Sequence, residues 1–237
     1  MGALQRIADR YRNREGHGEP FPTHGAKRFF ALLSSHFWKL ITLNLLFVLF
    51  SLPIVTLPAA LIGLNRVLLL IIREGHCFVW QDFFEEFKRS FLRSLPLGLI
   101  SGAGLFAAYY LISLGLSNAG SVFGMMFCAL GLFLTAFILQ WGSWAFALMA
   151  LLDADNRTVL KNAWALMRTE SKRGLALIGV HSVSLALLLL LFPISVIPFA
   201  LIFIAFTQYL LCFIIYTPVN ERILEPYYNQ PKREGTT

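Results

Sequence analysis

Residues 95–116 and 122–152 contain no Asp, Glu, Lys or Arg. Each uncharged run is long enough to cross about 30 Å of hydrocarbon as a helix, which takes roughly 20 residues, and this constrains the chain more than any motif does. Further apolar runs occupy 29–52, 59–72, 175–192 and 199–217. The composition agrees, with 57% of residues hydrophobic, 14% charged and a mean hydropathy of +0.66. Soluble domains average about 45–50% apolar and about 25% charged. An ordinary soluble enzyme, a secreted disulfide scaffold and a disordered regulator are therefore excluded. The expected fold class is all-α: a polytopic membrane helix bundle of six transmembrane helices forming one membrane domain over 29–217.

Residues 1–28 read as a basic tail, with Arg6, Arg10, Arg12, Arg14, Lys27 and Arg28, and 218–237 as a second tail. No short apolar stretch with a small-residue cleavage site follows the first charges, and the start lacks the Ser or Thr of a myristoylation signal, so the first span is expected to be an uncleaved anchor. Trp38 and Lys39 suit a membrane interface. Pro53 and Pro58 force a break, so 29–52 and 59–72 read as a tight hairpin; the second arm is short and carries Arg66. Gly98-x-x-x-Gly102 and Gly120-x-x-x-Gly124 have the small-residue spacing of close helix contacts. Cys77, Cys128 and Cys212 are far apart and read as packing residues.

Charge placement sets the expected orientation. Lys and Arg number seven through Lys39, four in 73–94, five in 153–173 and three in the C-terminal tail; Arg66 completes the twenty. The connections 53–58, 117–121 and 193–198 have none. Both tails and the two long connections are thus expected in the cytoplasm, N-in and C-in, by the positive-inside rule.

Those two connections read as amphipathic helices. In 80–91, Trp80, Phe83, Phe84, Phe87 and Phe91 fall on one arc, with Asp82, Glu85, Glu86, Lys88 and Arg89 on the remainder. The arc is a candidate docking helix for a partner; the plainer reading is a helix in the headgroup layer or against its own bundle. In 153–168, Val159, Leu160, Ala163, Leu166 and Met167 share a face, opposite Arg157, Lys161 and Arg168. The acceptor pattern Asn156-Arg157-Thr158 is disregarded on a cytoplasmic segment.

Three separated motifs carry a resemblance. Asn44-Leu-Leu-Phe-Val-Leu-Phe-Ser-Leu-Pro-Ile-Val-Thr56, Asp82-Phe-Phe-x-x-Phe-Lys-x-x-Phe91 and Asn156-Arg-Thr-x-x-x-Lys-Asn-Ala163, in this order, resemble the bacterial YesL-like family over about residues 25–225. That resemblance implies an integral membrane protein of unknown biochemical activity, often encoded beside ATP-driven carbohydrate importers and polysaccharide-degrading enzymes. It places the chain in a bacterial cytoplasmic membrane, multi-pass, with the lipid bilayer and subunits of a carbohydrate importer as expected partners.

Polar groups inside hydrocarbon each need an account. Asn44, Gln140 and Gln208 fall at a similar depth, roughly 15–18 Å from the cytoplasmic ends of their spans, and Arg66 and His181 at about 10 Å. With Asn65 they form a candidate intramembrane polar layer. Either they line a small-solute path, or the amides bond between helices while Arg66 snorkels, faces water or bonds to carbonyls. No span contains Asp or Glu, which weakens an ion-driven carrier. His17, His24, His36, His76 and His181 lack metal-ligand spacing and no hydrolase, zinc-protease or phosphate-loop motif occurs, so no catalytic residue, metal or cofactor is expected. The net charge of +7 is spent on orientation, with no nucleic-acid partner expected. The expected function is an accessory or regulatory membrane protein of carbohydrate uptake, not an enzyme; the alternative is a stand-alone small-solute transporter or permease using the polar layer.

Overall fold

A computed structural model describes residues 25–194 and 196–225. The chain divides into two units, Met1–Ser35 and His36–Thr237. Within the described part of the first, α1 (Gly25–Ser35) is an amphipathic helix with Phe29 and Phe30 in edge-to-face contact at 5.2 Å. The expected tail residues 1–24 and 226–237 lie outside the described residues.

The second unit opens with α2 (Phe37–Ser51), whose buried residues Leu40, Leu43, Asn44 and Phe47 repeat at helical spacing. Pro53 cannot donate a backbone hydrogen bond, and a single 3-10 turn, Ile54–Thr56, reverses the chain. The Thr56 hydroxyl lies 2.5 Å from the carbonyl of Phe50 and 2.6 Å from that of Pro53, closing the turn over the end of α2. Helix α3 (Leu57–Glu74) starts on Pro58, at a position that needs no N–H, and stops at Gly75 in the left-handed conformation (φ 73°). The arm expected at 59–72 is thus 18 residues long and is the central helix of the unit. Its most apolar window is 56% buried, against 11% for those of the helices Val79–Ser117 and Ser171–Leu190.

Helix α4 (Val79–Ser117) runs 39 residues, about 58 Å. The amphipathic segment 80–91 and the span 95–116, expected as separate elements, are one helix that continues through Pro96. The turn 118–121, with Gly120 at φ 95°, leads into α5 (Val122–Leu151), capped by the Ser121 hydroxyl accepting from the Gly124 N–H at 2.9 Å. Small residues draw α4 and α5 together. A Cβ on Gly115 would stand 2.4 Å from Cys128 Sγ, and one on Gly131 2.6 Å from the Ile112 side chain.

Helix α6 (Asn156–Thr169) buries Val159, Ala163 and Leu166 and folds back along α5, where Trp164 meets Phe137 at 5.9 Å. Helix α7 (Ser171–Leu190) follows at once and buries only Gly174 and Leu177. A helical turn at Val196–Pro198 passes through a widened π-helical stretch, Phe199–Phe203, into α8 (Ile204–Val219). Among the described residues five helices are long and apolar enough to cross a membrane, and a sixth span results if α1 and α2, which meet at His36 within the expected span 29–52, count as one. This suggests a multi-pass membrane protein.

Candidate functional site

Asn44, wholly buried on α2, accepts the backbone N–H of Ala205 at 2.7 Å. Ala205 follows the π-helical stretch, where the wider turn disturbs the regular i→i−4 ladder and makes an outside acceptor useful. Asn65, wholly buried on α3, accepts from Gln208 Nε2 at 2.6 Å and from the Cys212 thiol at 3.4 Å, both on α8. Its own Nδ2 is buried without a hydrogen-bond partner. One layer of amides thus ties α8 to α2 and α3.

Gln208 also faces a cavity of about 380 Å³ between α3, α4, α5, α7 and α8, lined mainly by apolar side chains with Ser101, Ser143, His181 and Gln208 as its polar groups. Ser143 donates to the carbonyl of Leu139 at 2.7 Å, while Ser101 Oγ is buried with no partner. His181 Nδ1 lies 2.8 Å from the carbonyl of Leu177. A carbonyl only accepts, so Nδ1 carries a proton and a neutral ring offers Nε2 as an acceptor. Asn65, Gln208 and His181 therefore come together around one amide pair and one cavity.

Arg66 and Gln140 stand elsewhere. Arg66 Nη1 donates to the carbonyl of Ala150 at 3.2 Å, in the last turn of α5, where helix carbonyls lack internal partners and a cation is favoured. Of the alternatives for Arg66, bonding to a carbonyl is the one observed. Gln140 packs directly over Gly174, where a Cβ would stand 1.8 Å from its Nε2.

The aromatic arc packs on its own unit. Phe83 is buried against Gly63, whose added Cβ would meet the ring at 3.1 Å. Phe50 of α2 lies 5.0 Å from Phe84, 5.2 Å from Phe87 and 6.0 Å from Phe83. Among the described residues the Phe91 ring pairs with Phe87 alone, at 6.1 Å, and Trp80 stacks on Phe84 while staying exposed. The buried stripe of this half of α4 runs Val79, Phe83, Glu86, Ser90, Ser94, Leu97. Glu86, assigned to the polar face from its charge, is 4% exposed, because Arg89 at 2.9 Å and the Ser90 hydroxyl at 2.5 Å satisfy its carboxylate.

A charged clamp continues from Glu86. Arg89 and Arg93 approach Asp153 at 3.9 and 4.0 Å. Arg93 Nε donates to Asn156 Oδ1 at 3.2 Å and its Nη2 to the carbonyls of Leu152 and Ala154, while Asn156 Nδ2 returns a bond to the Arg93 carbonyl at 3.0 Å. None of these residues was a site expectation from the sequence. The signal available was the polar 86–90–94 repeat inside an apolar stripe. Next to the clamp, the hydroxyl of Thr158 donates to Asp155 at 2.5 Å and holds that carboxyl below its ordinary range. Among the described residues no three of His, Cys, Asp and Glu gather as metal ligands would.

Residues 40–111 match the model of a family described as "Protein of unknown function, DUF624". The matched stretch runs from α2 through most of α4 and includes Asn44, Asn65, Arg66, Glu86 and Arg93. No curated protein and no solved structure matches the chain.

Proposed function

We propose that this chain is an integral membrane accessory or regulatory protein of an ATP-driven carbohydrate importer, seated in a bacterial cytoplasmic membrane with its charged connections inside, and that it carries out no catalytic step. The carbohydrate assignment rests on the resemblance of the three motifs. The accessory role is supported by one observation above others: polar side chains of the apolar helices are engaged in holding helices to one another, Asn44 on Ala205, Asn65 on Gln208 and Arg66 on Ala150. Buried polar groups used this way build a rigid bundle for a partner to lean on and are no longer available as solute ligands.

A second reading, a stand-alone permease, is favoured by the cavity beside His181 and Gln208 with its unpartnered Ser101 hydroxyl. Affinity purification of the tagged chain in mild detergent, with identification of co-purifying membrane proteins, separates the two. Importer subunits in stoichiometric amount are the expected result. A chain that purifies alone and drives saturable solute uptake into proteoliposomes overturns the accessory reading.

A further inference from the structure

Outside the amide layer and the clamp, a groove of about 670 Å³ lies where α6 runs along α4 and α5. Its walls are Ile100 and Gly104 of α4 and Leu134, Phe137 and Trp141 of α5, while α6 contributes Arg157, Lys161 and Trp164. Arg157 and Lys161 are one helical turn apart on an exposed face, and neither side chain has a hydrogen-bond or ion-pair partner among the described residues. The nearest carboxylate in sequence, Asp155, is engaged by the Thr158 hydroxyl. At its other end the apolar wall runs into exposed Leu130 and Phe133.

An apolar trough that opens on an apolar surface at one end and ends under two unpaired cations at the other is complementary to one kind of molecule. We propose that the groove binds a glycerophospholipid with an anionic headgroup, its phosphate between Arg157 and Lys161 and an acyl chain along Ile100, Leu134 and Phe137. Trp141 and Trp164 flank the junction, where indole rings with one apolar and one wet end are favoured. The side chain missing at Gly104 leaves room in the wall. This lipid site is independent of any importer partner.

Trp141 and Trp164 also provide the readout. The full chain, purified in detergent and stripped of lipid, is titrated with phosphatidylglycerol carrying brominated acyl chains, and separately with brominated phosphatidylcholine, while tryptophan fluorescence is followed. Phosphatidylglycerol is expected to quench at lower concentration. Arg157→Gln/Lys161→Gln should weaken it roughly thirtyfold, two cations at about 1 kcal/mol each, while Lys88→Gln/Lys172→Gln, which removes the same charge from exposed positions outside the groove, leaves it unchanged. Equal quenching by phosphatidylcholine, or an unaltered titration in Arg157→Gln/Lys161→Gln, overturns the proposal. So does relief of quenching by millimolar inorganic phosphate, which would mean that the cations hold a free anion, and so does dimerisation of the lipid-free chain that added phosphatidylglycerol does not reverse. If Arg157→Gln/Lys161→Gln does not fold, Trp141→Phe/Trp164→Phe decides: quenching by phosphatidylglycerol that persists undiminished places the lipid elsewhere.

Discussion

Arg66 illustrates how a single polar side chain in an apolar helix is settled by what lies next to it. A snorkelling arginine would be dispensable, whereas the observed donor at the end of α5 supplies the carbonyl of Ala150 with a charged hydrogen bond. Arg66→Leu is therefore expected to lower stability in detergent by about 1–2 kcal/mol, with Arg66→Gln recovering part of it; an unchanged or raised melting temperature would restore snorkelling. Cys77 gives a second residue-scale test. Burial pushes its thiol above the ordinary range, partly offset by nearby Lys39, with Asp82 adding to the rise. A raised value means the folded state keeps the proton to higher pH than the unfolded chain, so the contribution to stability is complete below the unfolded value and fades as pH climbs through the folded one. Alkylation of Cys77 at pH 8 should be slower in the folded protein than in denatured chain with the same reagent, and equal rates would contradict the assignment.

At the scale of elements, the first half of α4 is where packing overrode pattern. Phe50 gathers Phe83, Phe84 and Phe87 around itself, so these rings hold α2 to α4. Phe84→Ser/Phe87→Ser should destabilise the isolated protein by roughly 2 kcal/mol for two half-buried rings and so lower its melting temperature, whether or not a partner is present. Unchanged melting together with loss of a co-purifying partner would return the arc to a docking role. The helices themselves were legible in uncharged runs, proline pairs and caps. Three things were not. Continuity of α4 through Pro96 depends on packing against α3 and α5, and proline alone signals a break. The burial of Glu86 depends on Arg89 and Ser90 folding onto it. The depth estimate that grouped Gln140 with Asn44 and Gln208 assumed spans starting at a common level, whereas Gln140 lies against Gly174, in the first turn of α7. Asn44, Asn65 and Gln208 were recognisable because an amide in a helix this apolar must find a partner.

For the molecule as a whole, the exposed apolar faces of α4, α5 and α7 point to a bilayer environment, and the positive-inside rule predicts the charged connections in the cytoplasm. Reporters active only in the cytoplasm are expected to work when fused after His76, Asp153 or Thr237 and to fail after Ser117 or Ile194. N-terminal and C-terminal reporters on opposite sides would mean five spans instead of six. The central claim is that the buried amides serve packing and not passage, and the most direct measurement is the amount of partner recovered per mole of tagged chain when Asn65 and Gln208 are both replaced by leucine. Removing both amides orphans only the Cys212 thiol, a weak donor, and is far milder than removing one member of the pair, so the account expects importer subunits at the wild-type stoichiometry. A double variant that inserts and melts cooperatively, yet recovers no partner, would show that the pair does more than hold α3 to α8.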